Sequence, residues 1–126
     1  MKKSTTNEYA TFWIEEGILY FIYHPGTILN LRVAEKVVAD RLKFQQDITY
    51  PVFCNAQGVK DTEKAARDFL AREGSFLVRA VAYLVNPPIS HAITDFFLRA
   101  NRPTIPAEIF TEKFEALSFL KPYTKK

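Results

Sequence analysis

The chain has 126 residues, 48% hydrophobic and 25% charged, an ordinary globular mixture that fits one domain and excludes disorder, collagen and a disulfide scaffold. Its 18 aromatic residues (11 Phe, 6 Tyr and 1 Trp) are many for its size. The formal charge of +3 lives in the ends: residues 1–8 carry +1 and residues 121–126 carry +3, which leaves −1 over residues 9–120 and argues against the basic face of a nucleic-acid binder.

Residues 1–8 are polar and read as a flexible tail. Tyr9–Glu15 holds the strand formers Phe12, Trp13 and Ile14, and Ile18–His24 resumes the pattern after Glu16-Gly17, so the two read as a β-hairpin. The second run is apolar on both alternating faces and calls for cover on both. Pro25-Gly26-Thr27 marks a turn. From Leu31 the period changes: Ala34, Val37, Val38, Arg41 and Leu42 follow helical spacing to about Phe44, with Asn30 as a suitable N-cap. Tyr50–Asn55 reads as a short buried strand, followed by a loop around Gly58. Asp61 opens a second helix with the stripe Ala65, Ala66, Phe69 and Leu70, stopped at Gly74.

Ala80–Val85 is continuously apolar, as a central parallel strand should be. Asn86-Pro87-Pro88 breaks it and leads into a third helix carrying Ile89, Ala92, Ile93, Phe96, Phe97 and Ala100 on one face, ended by Asn101-Arg102-Pro103. Ile105–Phe110 is a last strand, and Thr111 can cap a final helix with Phe114, Leu117 and Leu120 inward. Residues 122–126 form a basic tail. The order ββαβαβαβα predicts an α/β domain over residues 9–121: one mixed five-stranded sheet, an antiparallel hairpin followed by parallel strands, with right-handed crossovers and four helices.

This order resembles the STAS domain, the fold of bacterial anti-sigma-factor antagonists and of the cytoplasmic tails of sulfate transporters. Phe-Trp-Ile-Glu-Glu-Gly-Ile-Leu-Tyr at 12–20, Glu-Lys-Ala-Ala-Arg-Asp at 63–68 and Ile-Phe-Thr at 109–111 are similar to small stand-alone bacterial proteins of unknown function grouped with that fold. In the antagonists, an Asp-Ser-Ser-Gly or Asp-Thr-Ser-Gly pattern opens the second helix, and its second hydroxyl residue is phosphorylated by a partner kinase. The matching stretch here is Asp61-Thr62-Glu63-Lys64, so the resemblance puts Glu63 where the phospho-acceptor stands. Glu63 cannot take a phosphate in a serine-type switch. It can hold a fixed negative charge at a helix N-terminus, where the dipole favours it.

In an open α/β sheet, ligands favour the crevice beyond the carboxyl ends of the parallel strands. That edge gathers His24, Thr27, Asn55 and Asn86, and the amides of Asn55 and Asn86 could fix a ligand or simply cap turns. The closely spaced glycines and Lys-Ser/Thr pair of a phosphate-binding loop are missing. His24 and His91, the latter on the solvent-leaning side of its helix, have no sequence-local Ser, Cys or carboxylate in a catalytic pattern, and with Cys54 they make a poor zinc set. Cys54 lies in an apolar strand, where burial makes a thiol inert. Glu15 and Glu16 are adjacent in a strand and point to opposite faces. Consecutive Phe96-Phe97-Leu98 spans more than one helical face, which predicts an aromatic side chain at the surface.

The leading expectation is a non-enzymatic regulatory or protein–protein interaction domain, bound to a protein partner or to itself as a homodimer, with no cofactor and no metal. The alternative is a small-molecule or lipid-binding protein with an aromatic-lined pocket for a small apolar ligand. An enzyme using His24 or Cys54 comes third. The longest apolar runs, Ile18–Tyr23 and Ala80–Val85, fall far short of the ~20 residues of a membrane-spanning helix, so no membrane insertion is expected. With a lone cysteine and no apolar leader, the chain reads as cytoplasmic.

Overall fold

The computed structural model describes residues 4–101 and 103–125. Lys2, Lys3, Lys126 and Arg102 of the predicted Asn101-Arg102-Pro103 helix stop lie outside the described residues. The elements run β1 (Ser4–Thr6), β2 (Ala10–Glu15), β3 (Ile18–Tyr23), β4 (Thr27–Leu29), α1 (Leu31–Gln45), β5 (Tyr50–Asn55), β6 (Val59–Thr62), α2 (Lys64–Glu73), β7 (Val78–Leu84), α3 (Ile89–Asn101), β8 (Ala107–Phe110) and α4 (Lys113–Leu120), closed by a 3-10 turn over Lys121–Thr124.

Among the described residues the main sheet has six strands in the order β1-β2-β3-β5-β7-β8. The first three are antiparallel and the rest pair in parallel. The α/β class, the hairpin-then-parallel order and the four helices are as the sequence predicts. The sheet has one strand more than predicted, because Ser4–Thr6 pairs with β2. A polar segment of three residues carries no apolar alternation, so only the unpaired edge of β2 could draw it into a ladder. A second difference is a small parallel pair, β4 with β6. β6 occupies residues predicted to be loop and helix start, and α2 begins only at Lys64, three residues after Asp61.

Two turns make these pairings possible. Glu16 (φ 51°) and Gly17 (φ 80°) form the two-residue left-handed turn that matches strand twist in a hairpin, and Glu15 duly faces Ile18. At Gly58, an added Cβ would lie 2.5 Å from the His24 carbonyl oxygen, so only glycine lets the loop after β5 pass so close to the end of β3.

Alternation along the strands divides the core in two. Leu19, Phe21, Val52, Cys54 and Val81 face α1, α2 and α3, whereas Tyr20, Phe53, Ala80, Ala82 and Leu84 face α4. Ala80, Ala82 and Ala116 are all fully buried, and these small side chains let α4 lie close against β7. Of the predicted inward set of the last helix, Leu120 is buried and Leu117 packs partly buried against this core, and only Phe114 is corrected. Phe114 is 79% exposed, while Ala116 and Leu120, four residues apart, are buried. Nor does Thr111 cap this helix: its N-cap is Glu112, with no side-chain capping bond. α1 follows the prediction closely, with the Asn30 side chain accepting from the Val33 amide at 2.9 Å. The central position of β3 and β7 explains why both runs are apolar on each face.

Candidate functional site

The carboxyl edge of the sheet brings the predicted polar residues together but uses their polar atoms in turns. Asn55 Oδ1 accepts from the Gln57 amide at 2.9 Å. Gln57 Nε2 donates to Asn86 Oδ1 at 2.9 Å, which ties the loop after β5 to the loop after β7. The Thr27 hydroxyl donates to the His24 carbonyl at 2.6 Å. The His24 ring lies over the start of β2: Nε2 is 2.9 Å from the Thr11 hydroxyl and Nδ1 is 3.2 Å from the Glu8 carbonyl. His91 is exposed on α3.

The Asp61-Thr62-Glu63 stretch is likewise committed. Thr62 donates its hydroxyl to the Leu29 carbonyl at 3.0 Å, and Asp61 Oδ1 accepts from the Thr62 amide at 2.8 Å. Glu63 stands at the N-cap of α2 but does not cap it. Its carboxylate accepts instead from the Leu31 amide at 3.0 Å, at the first turn of α1. One fixed charge therefore holds the N-termini of two helices in register.

Phe96 and Phe97 divide as two consecutive helical residues must. Phe96 is 55% exposed, with the Arg67 guanidinium 5.0 Å from its ring centroid, so the contact links α3 to α2 across the surface. Phe97 turns under the helix toward the sheet and lines a cavity.

This cavity is the site that sequence reasoning did not locate. It measures about 130 Å³ and lies between the sheet and the layer formed by α1, α2 and α3. Phe21, Val52, Cys54 and Val81 form its floor, Val37 and Leu70 its helical wall, and Ile93 and Phe97 its cover. It exists because α3 is a loose lid: only Ser90 and Thr94 of that helix are buried, and the larger Ile93 and Phe97 are only half-buried. Exposed Ala71 and Pro103 contribute to the lining, which marks where the cavity reaches solvent.

Two arginines, Arg41 and Arg67, line this wall, with Thr62, Ser75, Thr94 and Asn101 as further polar side chains. Arg41, 4% exposed, reaches it from α1. It donates to Gln45 Oε1, to the Phe76 carbonyl at 3.1 Å and to the Gly74 carbonyl at 3.3 Å. Gln45 is in turn fixed by donating to the carbonyls of Ile48 at 2.8 Å and Leu77 at 2.9 Å. Burial pulls the guanidinium below its ordinary value, although an arginine keeps its proton throughout. Tyr23, Cys54 and Tyr83 also line the cavity, and burial raises all three. The Cys54 thiol is pushed up to about 12, which leaves it protonated and a poor nucleophile near neutral pH. Among the described residues, no group of three His, Cys, Asp or Glu side chains is placed to hold a metal ion, and no helix is long and apolar enough to cross a membrane.

The comparisons with known proteins fit this architecture. A family model described as a domain of unknown function, DUF7793, matches residues 12–124. No curated protein matches. Among solved structures, the chain is similar to an uncharacterised protein of the DUF3478 family with a SpoIIAA-like fold, from Shewanella loihica PV-4. The TM-score is 0.59 at 11% identity, over 95% of this chain and 92% of that one. The likeness is one of fold, and it agrees with the resemblance to the anti-sigma-factor antagonists carried by the strand–helix order.

Proposed function

The chain belongs to the DUF7793 family, and we propose that its SpoIIAA-like fold serves as a non-enzymatic regulatory domain that takes a small apolar molecule beneath α3 as its input. The observation that carries this reading is the cavity of about 130 Å³. Protein interiors are close-packed, and voids larger than a water are few. A void of about 150 Å³ lined by apolar side chains stays dry and accepts a benzene-sized guest. The space under α3 is of that order, and its lining is mostly aliphatic and aromatic. The output is a protein partner or a second copy of the chain, in the cytoplasm. α3 suits that coupling, because one helix carries Phe97 on the cavity side and Phe96 on the outer side.

Toluene is a direct probe. In a methyl NMR titration, saturating toluene should shift Val37, Val52 and Val81 and leave Leu84 and Leu120, on the opposite face of the sheet, unmoved. Ala71→Phe, at the solvent end of the cavity, should abolish the shifts while the chain stays folded. Absence of any shift at the cavity methyls would sink the reading.

A second reading, an interaction domain that works without a ligand, draws on the exposed Phe96 with Arg67 packed on it. Size-exclusion chromatography with light scattering tests its self-association: a dimer lost in Phe96→Ser supports it, and a monomer at every concentration removes it.

A further inference from the structure

We propose that the natural occupant of the cavity is a small organic anion, a carboxylate with a body about the size of one aromatic ring or a short branched chain, its headgroup taken by Arg41. The inference rests on the cavity being a ligand site and adds the chemistry of what enters it.

Arg41 is a buried cation without a counter-ion. Its acceptors, Gln45 Oε1 and the carbonyls of Gly74 and Phe76, are uncharged. The titratable groups close enough to act on it are Tyr23, Cys54 and Tyr83, and burial raises each of them, so all three are neutral at physiological pH. Among the described residues it makes no ion pair; those present join Lys36 to Asp40, Lys64 to Asp68 and Arg99 to Asp95. Buried charges in proteins are ordinarily paired, because the loss of hydration is otherwise uncompensated. Here the same side chain lines the cavity, and an anion entering that space would supply the missing charge.

The geometry suits a carboxylate in particular. A guanidinium offers five N–H donors in a flat fork, of which three are occupied here. The fork is held still by Gln45 and by the carbonyls of the segment between α2 and β7, so little freedom remains to be lost on binding. That segment ends at Leu77, whose φ of 62° is rare for a branched side chain. The strained residue presents its carbonyl to Gln45 Nε2 at 2.9 Å, one step removed from Arg41, and strain of this kind collects at functional sites. Tyr23 and Tyr83, with hydroxyls that stay protonated, also line the cavity. The cavity volume sets the size limit: the apolar lining has room for a single ring, which excludes full enclosure of a long acyl chain.

Calorimetric or NMR titration of the full chain with three matched probes, benzoate, benzyl alcohol and toluene, tests the inference. Benzoate should bind the wild-type chain about 10- to 100-fold tighter than benzyl alcohol, the range expected for hydrogen bonds to a charged group. That advantage should vanish as pH falls through the acid's own pKa. Arg41→Met should bring benzoate down to the level of benzyl alcohol, while Arg41→Lys keeps part of the preference. The comparison of the probes on the wild-type chain stands even if both variants fold poorly. Equal affinities for benzoate and benzyl alcohol would overturn the assignment of Arg41 while leaving the cavity as a ligand site. If none of the three probes binds, the cavity itself is no site and both readings fall.

Discussion

Adding one methylene to the wall of the cavity should stabilise the chain, whereas the same change in its packed core should do the opposite. Val81 lies on β7 opposite Val52 of β5, and both side chains line the cavity. Val81→Ile keeps a β-branched residue in a strand and extends it into empty space. A newly buried methylene contributes about 0.8 kcal/mol, with no cavity to create and no neighbour to displace. For 126 residues the unfolding entropy near the midpoint is about 260 cal/mol/K, so the gain corresponds to about 3 °C in Tm. Val85 provides the contrast. It is fully buried and does not line the cavity, so Val85→Ile must push against filled space and should cost about 1–3 kcal/mol. Urea unfolding of both variants measures the two signs directly, and Val81→Ile should also weaken toluene binding severalfold. If Val81→Ile is destabilising by more than about 1 kcal/mol, the space is already filled in solution and the ligand site is lost with it.

Glu63→Ala removes the carboxylate that accepts from the Leu31 amide and should cost about 1 kcal/mol, as loss of a helix cap does, with Glu63→Gln recovering part of it in urea unfolding. The Cys54 thiol is pushed up to about 12 from an ordinary 9.0, so the folded chain keeps a proton that the unfolded chain releases. Its contribution to stability is therefore full below pH 9 and falls by about 1.4 kcal/mol per unit as pH rises toward 12. Urea midpoints between pH 8 and pH 10 should show this decline in the wild type and a shallower one in Cys54→Ala. On α4, Phe114→Ala should change stability by no more than about 0.5 kcal/mol because the ring is exposed, whereas Ala116→Leu, against Ala80 and Ala82, should cost about 1–3 kcal/mol by thermal unfolding.

The parts of the fold legible in the sequence are those in which one local signal and the tertiary demand agree. Glu16-Gly17 specifies the hairpin by its need for positive φ, and Asn30 with the 34-37-38-41 spacing specifies α1 by its cap and its buried stripe. Where the demand is tertiary alone, the reading fails in a definite direction. Val59–Thr62 is a strand because β4 lies beside it and Gly58 allows the approach; the polar sequence Lys60-Asp61-Thr62 reads as a helix start without that neighbour. Phe114 looks inward because a large aromatic ring outweighs a small alanine in any hydrophobic pattern. The sheet prefers Ala116, since only a small side chain lets α4 approach the alanines of β7.

Arg41 sits between these two cases. Its position in the stripe with Val37 and Val38 already implies that its side chain turns inward, and an arginine facing a core needs an anion. What the sequence cannot supply is the census of neighbours around it. Asp40 and Asp47 lie close by along the chain, but neither stands three or four residues from Arg41, where side chains of one helix meet. In the fold, Asp40 pairs with Lys36 at 3.2 Å and accepts from the Asn7 side chain at 2.8 Å, while Asp47 is exposed beyond the end of α1. With both acids turned outward, the charge of Arg41 is left facing neutral tyrosines, a neutral thiol and an unfilled space. At the sheet edge the polar side chains already have partners within the chain: Asn55 bonds the Gln57 amide, Asn86 the Gln57 side chain, and the His24 ring Thr11 and the Glu8 carbonyl. A long cation on a buried stripe finds only uncharged acceptors here, Gln45 Oε1 on its own helix and the carbonyls of Gly74 and Phe76, so a counter-charge would come from outside the chain.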